Sequence, residues 1–388
     1  MAIPLSYNLR NLTARKTMTL MTALGIALTV AVLLSVMALV QGLRTSLTAS
    51  GHPAQLLVMR KGATAELNSV VSPSTFQELK SKQGIARNAE GEPLASLELV
   101  TVIVLENEAN PQGINITVRG LTPLGFSMRE GLRITEGRMF ETGKRELVVG
   151  RGLAARYPDA RLGGKIEFGR GEWTVVGVMD GGRSAANSEM FADLYQIASD
   201  QGRPEAMSSV LVRASDEVAM RALVNDLESD PRFNIDAVPE KEYFEQQTSS
   251  AAPIQYVGMF VAIIMAVGSS FAAMNTMYAA VARRSAEIGT LRVLGFSKAG
   301  ILTSFLIESV LISLLGGILG CVLVLPIHNL QTGVGSFVTF SEITFEFQVT
   351  PAIMGIGILF ALAMGVAGGL FPAGSAARKE ILTALRQN

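Results

Sequence analysis

Three groupings of residues have types and spacings that chemistry could use. In GRMFETGKRE, the glycines Gly137 and Gly143 with Lys144 suggest a phosphate-cradling loop. Five residues separate those glycines where such a loop has four, and Arg145 stands where Ser or Thr would hold a magnesium ion, so the stretch is read as a turn leading into a strand. In MDGGRSAANSEMFADL, the acids Asp180, Glu189 and Asp193 could supply a hydrolytic carboxylate pair, but they read more simply as solvated loop and helix-cap residues. The third grouping, YAAVARRSAEIGTLRVLGFSKAG from Tyr278 to Gly300, sets a short charged stretch between two apolar runs, which is the chemistry of docking. His52 and His328 lie far apart and the single Cys321 sits in an apolar run, so neither a His/Cys metal centre nor an intrachain disulfide is expected. With no Gly-x-Ser-x-Gly elbow and no His-Glu-x-x-His pattern, no catalytic residue is assigned.

These groupings must be positioned by elements that the apolar pattern defines. The chain has 388 residues, a formal net charge of zero and 17% charged residues, which points away from nucleic acid and toward a membrane protein with a sizeable polar part. Crossing a bilayer takes about 20 apolar residues at 1.5 Å each. Four stretches qualify, and the fold class they predict is four transmembrane α-helices with a large α+β domain inserted between the first and second. The expected order is a cytoplasmic amphipathic helix at 1–16, spans at 17–43, 248–282, 299–327 and 350–373, an outside domain at 44–247, a cytoplasmic helix at 283–298, a short outside loop at 328–349 and a tail at 374–388. The first span is too long for a signal-peptide core and is read as a retained anchor. Arg10, Arg15 and Lys16 precede it, Arg283, Arg284, Arg292 and Lys298 join the second to the third, and Arg378, Lys379 and Arg386 follow the fourth. The loop between the third and fourth carries Glu342 and Glu346 but no lysine or arginine. All basic segments therefore fit one side, which predicts cytoplasmic termini.

In the inserted domain, QLLVM, LELVTVIVL, INITVRGL, ELVVG, KIEFG, WTVVGVM and SVLVRA read as strands. SPSTFQELKSK and SDEVAMRALVNDLESD read as helices, the second with Val218, Leu223, Val224 and Leu227 near one face. EITFEFQV alternates, with Ile343, Phe345, Phe347 and Val349 on one side and Glu342, Thr344, Glu346 and Gln348 on the other, predicting a half-buried strand that could dock on the inserted domain. Small residues recur at helical spacing in the spans: Gly357, Ala361, Gly365 and Gly369; Gly316 and Gly320; Gly268 and Ala272. Such stripes admit a second backbone, from the same bundle or from another copy. Glu308 is the one acid deep in a span, where a charge needs a partner. By distance from the shared loop, Asn275 is the expected one, with a transport role for Glu308 as the alternative to a structural pin.

The charged segment then reads as an amphipathic helix. Arg283 and Glu287 are spaced to pair, while Ile288, Leu291 and Leu294 form an apolar edge. Gly295 suits a left-handed helix stop and Ser297 the cap of the next helix. Its surface fits lipid headgroups or a protein groove.

RRSAEIGTLRVLGFS resembles the E-I-G-x-L-R-x-L-G segment of FtsX-like, or MacB-type, ABC transporter permeases, through Glu287, Ile288, Gly289, Leu291, Arg292, Leu294 and Gly295. The resemblance extends to PLSYNLRNLTARK, to ITEGRMFETGKRELVVGRGLAARY with GGKIEFGRGEWTVVGV, and to the tail PAGSAARKEILTAL, where Lys379-Glu380 replaces a usual proline. It implies a coupling helix that enters a cleft on an ATPase, with Glu287, Gly289 and Arg292 engaged and Arg283 and Arg284 supporting. It also implies a bacterial inner-membrane location, a second permease copy or paralogue, a periplasmic adaptor and an export role; lipoprotein extraction of the Lol type and signalling to a cell-wall hydrolase are the alternatives. Because the sequence holds no phosphate loop, ATP and magnesium are expected on a separate ATPase subunit, with no cofactor on this chain.

Overall fold

The computed structural model describes residues 7, 10, 12, 16–107, 110–248, 252–336 and 339–378. Most of the expected amphipathic helix at 1–16, and the tail from 379 onward, lie outside the described residues. The chain forms two compact units: a helical unit of Met1–Gln41, Pro253–Leu330 and Phe347–Asn388, and an inserted domain of Gly42–Ala252 with Gln331–Glu346.

Four long helices, α1 (Lys16–Thr48), α8 (Ala252–Arg283), α10 (Lys298–Val324) and α11 (Pro351–Arg378), are long and apolar enough to span a membrane. Their packing follows the small-residue stripes. A Cβ on Gly316 would lie 2.8 Å from the Ala23 carbonyl oxygen, and one on Gly320 would lie 2.8 Å from Val30 Cβ, so α1 rides directly on the glycine face of α10. Gly357 receives Leu34 of α1, Gly365 and Gly369 face Ser313 and Ser309 of α10, and Ala361 is fully buried. The Ser309 hydroxyl donates to the Gly365 carbonyl at 2.7 Å. These stripes therefore serve contacts within the chain. Gly268 does not, for nothing lies within 4 Å of its added Cβ. Its helix α8 leaves Phe260, Ile264 and Phe271 exposed, which suits lipid or another copy.

The inserted domain begins with β1 (Gln55–Arg60), α2 (Pro73–Leu79), β2 (Ala95–Asn107), β3 (Asn110–Leu121) and α3 (Pro123–Ser127). It continues with β4 (Arg133–Gly137), β5 (Glu146–Gly150), α4 (Arg151–Arg156), β6 (Lys165–Phe168), β7 (Gly171–Asp180), β8 (Glu189–Asp193) and α5 (Leu194–Asp200). Last come β9 (Ser209–Arg213), α6 (Glu217–Ser229), β10 (Ile235–Pro239) and α7 (Glu240–Gln247). The strands join in the order β10-β1-β9-β2-β3-β8-β5-β7-β4, with β6 on β7. The long antiparallel pair β2–β3 links one half of the sheet to the other. Local chemistry explains the helix starts: Ser72, Thr122, Asp193 and Asp216 each accept from a backbone N–H in the first turn of the helix they precede.

All seven expected strands form, while RITEG, EMFAD and IDAVP become strands that the pattern alone did not announce. The turn reading of GRMFETGKRE holds: Gly137 and Gly143 take positive φ, Arg138 clasps Glu146 and Arg145 clasps Asp200, leaving no phosphate cradle. In α6, Leu223 and Leu227 face the core, but Val218 in its first turn is 79% exposed. Asp193 is the helix cap expected of it, though a buried one, whereas Glu189 is not a solvated acid but joins an internal ion cluster.

Glycine at 316 is a space requirement and at 268 is not. Gly316→Ala is expected to destabilise the chain by about 1–3 kcal/mol, because the neighbouring backbone cannot yield to the new methyl. Gly268→Ala is expected to be neutral or slightly stabilising. Thermal unfolding of the two variants in lipid nanodiscs, side by side, checks the contrast.

Candidate functional site

The charged segment is a helix, α9 (Ser285–Val293), set off from α8 by a break at Arg284, whose φ of −105° and ψ of 21° leave the helical region. That break rotates the chain between Arg283 and Glu287. The expected pairing of those two residues is therefore not made: Arg283 reaches Met18 Sδ, and Arg284 Nε donates to Glu287 Oε2 at 3.0 Å. Arg284 is only 4% exposed. Its Nη1 donates to Glu308 Oε2 of α10 at 3.0 Å, and its guanidinium carbon lies 5.2 Å from the ring centres of both Tyr7 and Phe305. Tyr7 donates to the same Glu287 oxygen at 3.1 Å. Asn275 is on the exposed side of α8, so Glu308 pairs with Arg284 where Asn275 was expected. A helix break brought a full charge within reach, and a guanidinium meets a carboxylate better than an amide does.

The remaining faces of α9 sort by the same pin. Ser285, Ile288 and Gly289 turn inward, and Ile288 packs with Met277, Val281, Ile301 and Phe305. Leu294 is exposed and Leu291 half-buried, so the expected apolar edge is split between inside and outside. Arg292 folds back, its Nη1 donating to the Phe296 carbonyl at 3.2 Å. What α9 presents to solvent is Ala286, Glu287, Thr290, Val293 and Leu294. The exit is as local chemistry predicts. Gly295 has φ of +90°, its N–H bonds the Arg292 carbonyl, and the Phe296 N–H bonds the Leu291 carbonyl. Ser297 then caps α10 by accepting from the Gly300 N–H at 3.0 Å.

A second element is the hairpin of β11 (Gln331–Gly335) and β12 (Glu342–Glu346), which lies in sequence between α10 and α11 but packs in the inserted domain. Both faces of β12 are covered. Its polar side is occupied because Arg156 pairs with Glu342 and donates to Thr344 Oγ1 at 2.6 Å, while Tyr157 donates to Glu342 Oε2. Thr117 donates to Ser341 Oγ at 2.7 Å from β3. The expected docking is therefore present, and the expected solvent face is not. Burial beside the Glu342 carboxylate pushes the Tyr157 hydroxyl up to about 12.

Deep in the inserted domain, Arg119 bonds Glu66, Glu98 and Glu189, and Arg129 grips Glu98 through two nitrogens. Beside them Glu240 is buried; burial pushes its carboxyl up to about 7, against the pull of Arg129 and of the His52 N–H. No group of three His, Cys, Asp or Glu suited to a metal occurs among the described residues.

Four helices long and apolar enough to span a membrane, with a domain of mixed sheet inserted after the first and a stapled helix between the second and third, are the architecture of a membrane protein. The model of the MacB-like periplasmic core domain matches residues 19–230, and that of the FtsX-like permease C-terminal matches 259–381. The chain belongs to this MacB/FtsX-like family of ABC transporter permeases. It is 26% identical over 403 residues to the uncharacterized ABC transporter permease YknZ of Bacillus subtilis, with 97% of both chains covered. The macrolide export ATP-binding/permease protein MacB of Campylobacter jejuni is 25% identical over 96% of this chain, which spans 59% of that longer protein. The MacB of Bradyrhizobium diazoefficiens is 26% identical over 70% of this chain and 43% of its own length. Among solved structures, the periplasmic region of MacB from Actinobacillus actinomycetemcomitans aligns over 50% of this chain and 92% of that one, at 14% identity and a TM-score of 0.36.

Two outcomes follow from these charges. Glu308→Ala leaves the buried Arg284 guanidinium only the exposed Glu287 as its counter-ion and is expected to cost about 3 kcal/mol. Replacing both residues by Leu and Met should cost less than the single change, as a double-mutant cycle in nanodiscs would read. For Glu240 the folded value lies above the ordinary 4.5 of an exposed chain. Between those values the unfolded chain has released the proton and the folded one holds it, so this group's contribution falls as pH rises from 4.5 to about 7. Glu240→Gln removes that loss and should melt higher than the parent above pH 7, with the advantage shrinking toward pH 4.5.

Proposed function

We propose that this chain is the membrane subunit of an ABC exporter whose ATPase is a separate subunit docked on α9. The observation that carries the reading is the stapled helix: Arg284 fixes the inner face of α9 to α10, so Glu287, Thr290, Val293 and Leu294 stand outward in one fixed orientation. An exposed Val and Leu beside a carboxylate make a compact apolar and charged surface of the kind that a protein groove takes up. Engagement thus rests on Glu287 and Leu294, with Arg283 at the edge. Gly289 and Arg292 act from within, the glycine by close packing and the arginine by holding the turn.

The tight turn at Gly295 and the Ser297 cap leave little slack between α9 and α10. A push on α9 is then carried along α8 and α10 rather than absorbed in a loop. The β11–β12 hairpin, covalently carried by α10 and α11 and bonded to Arg156 and Thr117, passes the motion to the core domain. This mechanism sets α9 and both termini in the cytoplasm of a bacterial inner membrane and the core domain in the periplasm, in keeping with the distribution of basic residues. The exposed face of α8 with Gly268 suits a second permease copy. Export is favoured by the MacB relatives, whose names specify macrolide export, and we propose a periplasmic adaptor as its partner.

The test is co-purification of the ATPase from native membranes, followed by measurement of its stimulated hydrolysis. Glu287→Lys and Leu294→Asp should each reduce stimulation by about tenfold or more while leaving insertion and monodispersity unchanged. Undiminished stimulation by both variants would move the docking site elsewhere.

A further inference from the structure

The core domain holds a partly open cavity of about 160 Å³, bounded by the stretch from Ala49 to His52, by the stretch from Ser184 to Ala186, by β3 and β8, and by α7. Its charges do not balance. Arg119 is committed to Glu66, Glu98 and Glu189, and Arg129 to Glu98, so the two guanidinium groups there are fully engaged by three carboxylates. Glu240 remains. It is 5% exposed, lines the cavity, and holds a single hydrogen bond, from the His52 backbone N–H at 2.8 Å; no ion pair to it is formed among the described residues. Ser184 lines the same cavity, is 8% exposed, and its Oγ has no hydrogen-bond partner among the described residues. Phe191, Tyr243 and Phe244 supply aromatic walls.

A buried carboxylate without a counter-ion is costly unless a cation meets it. Aromatic faces attract organic cations, which need less dehydration than metal ions. The cavity is roomy enough for a small amine or the end of a lysine side chain, since a single water needs only about 10–15 Å³ of such space. An anion is disfavoured because both guanidinium groups are already taken. We propose that this cavity binds an alkylammonium group, with Glu240 as its counter-ion, Ser184 Oγ accepting an N–H, and the aromatic rings packing on the alkyl part. Burial raises this carboxyl to about 7, so near neutral pH part of it is already the carboxylate that admits the ligand, and binding draws off the proton from the rest. The ammonium belongs either to a free small amine or to a lysine side chain of a peptide. The site is independent of α9 and of any ATPase.

The experiment is calorimetric titration of the full-length protein in nanodiscs with butylammonium chloride, with Nα-acetyl-lysine methylamide and with sodium butyrate. Saturable binding of an amine is expected, weakened about tenfold or more by Glu240→Gln and severalfold by Ser184→Ala, with no binding of butyrate. In Glu240→Gln the side-chain amide keeps an oxygen for the His52 N–H, and a melting curve verifies its fold. Tighter binding of butylammonium supports the site with a free amine as its occupant, and tighter binding of the lysine derivative supports it with a peptide. The proposal is overturned by the absence of saturable amine binding, by butyrate binding, or by equal amine affinity in a folded Glu240→Gln protein. Should that variant fail to fold, unchanged affinity in Ser184→Ala together with equal heats for amine and butyrate overturns it as well.

Discussion

One guanidinium governs the helical unit. Arg284 sits where α8 stops being a helix, and its charge is buried between two aromatic rings and two carboxylates. A charge so placed cannot be moved without breaking its bond to the buried Glu308 carboxylate. The rotation of α9 about its axis is thereby fixed. Because that rotation decides which residues look outward, the proposed docking surface is a consequence of the pin rather than of the helix's own amphipathicity.

The inserted domain repeats the device. Arg119 gathers three acids from separate parts of the chain, and Arg156 closes the polar side of a strand contributed from beyond α10. In both places an arginine organises several acceptors with its planar fork, as a lysine's single ammonium would not. Buried ion pairs add little net stability, so their value here is positional: they make one arrangement far better than its neighbours. The unmatched Glu240 stands out against that pattern, since nearby charges are paired and it is not.

Local rules were legible wherever a few consecutive residues decide the outcome. Gly295 takes positive φ because only glycine does so freely, and Ser297 caps because its hydroxyl reaches an N–H three residues on. The spans, the seven strong strands and the glycine stripes of α10 and α11 were legible for the same reason: length, alternation and side-chain size are properties of short windows. The pairing of Glu308 with Asn275 failed because it assumed that depth along the helices sets partners. The break at Arg284 brought a charged side chain back to that depth. Val218 and the polar face of β12 failed because periodicity gives a face and not what covers it.

The sequence by itself determined the count of spans, the α+β character of the inserted domain and the family segment from Glu287 to Gly295, since each depends on hydrophobicity or on residues adjacent in the chain. Only the tertiary structure decided that Arg284 meets Glu308, that Gly289 and Ile288 face inward, that the hairpin after α10 belongs to the inserted domain, and that Glu240 has a backbone N–H but no ion-pair partner among the described residues. Those are contacts between residues far apart in sequence. Their energies depend on the distance, burial and competing charges that folding alone brings together.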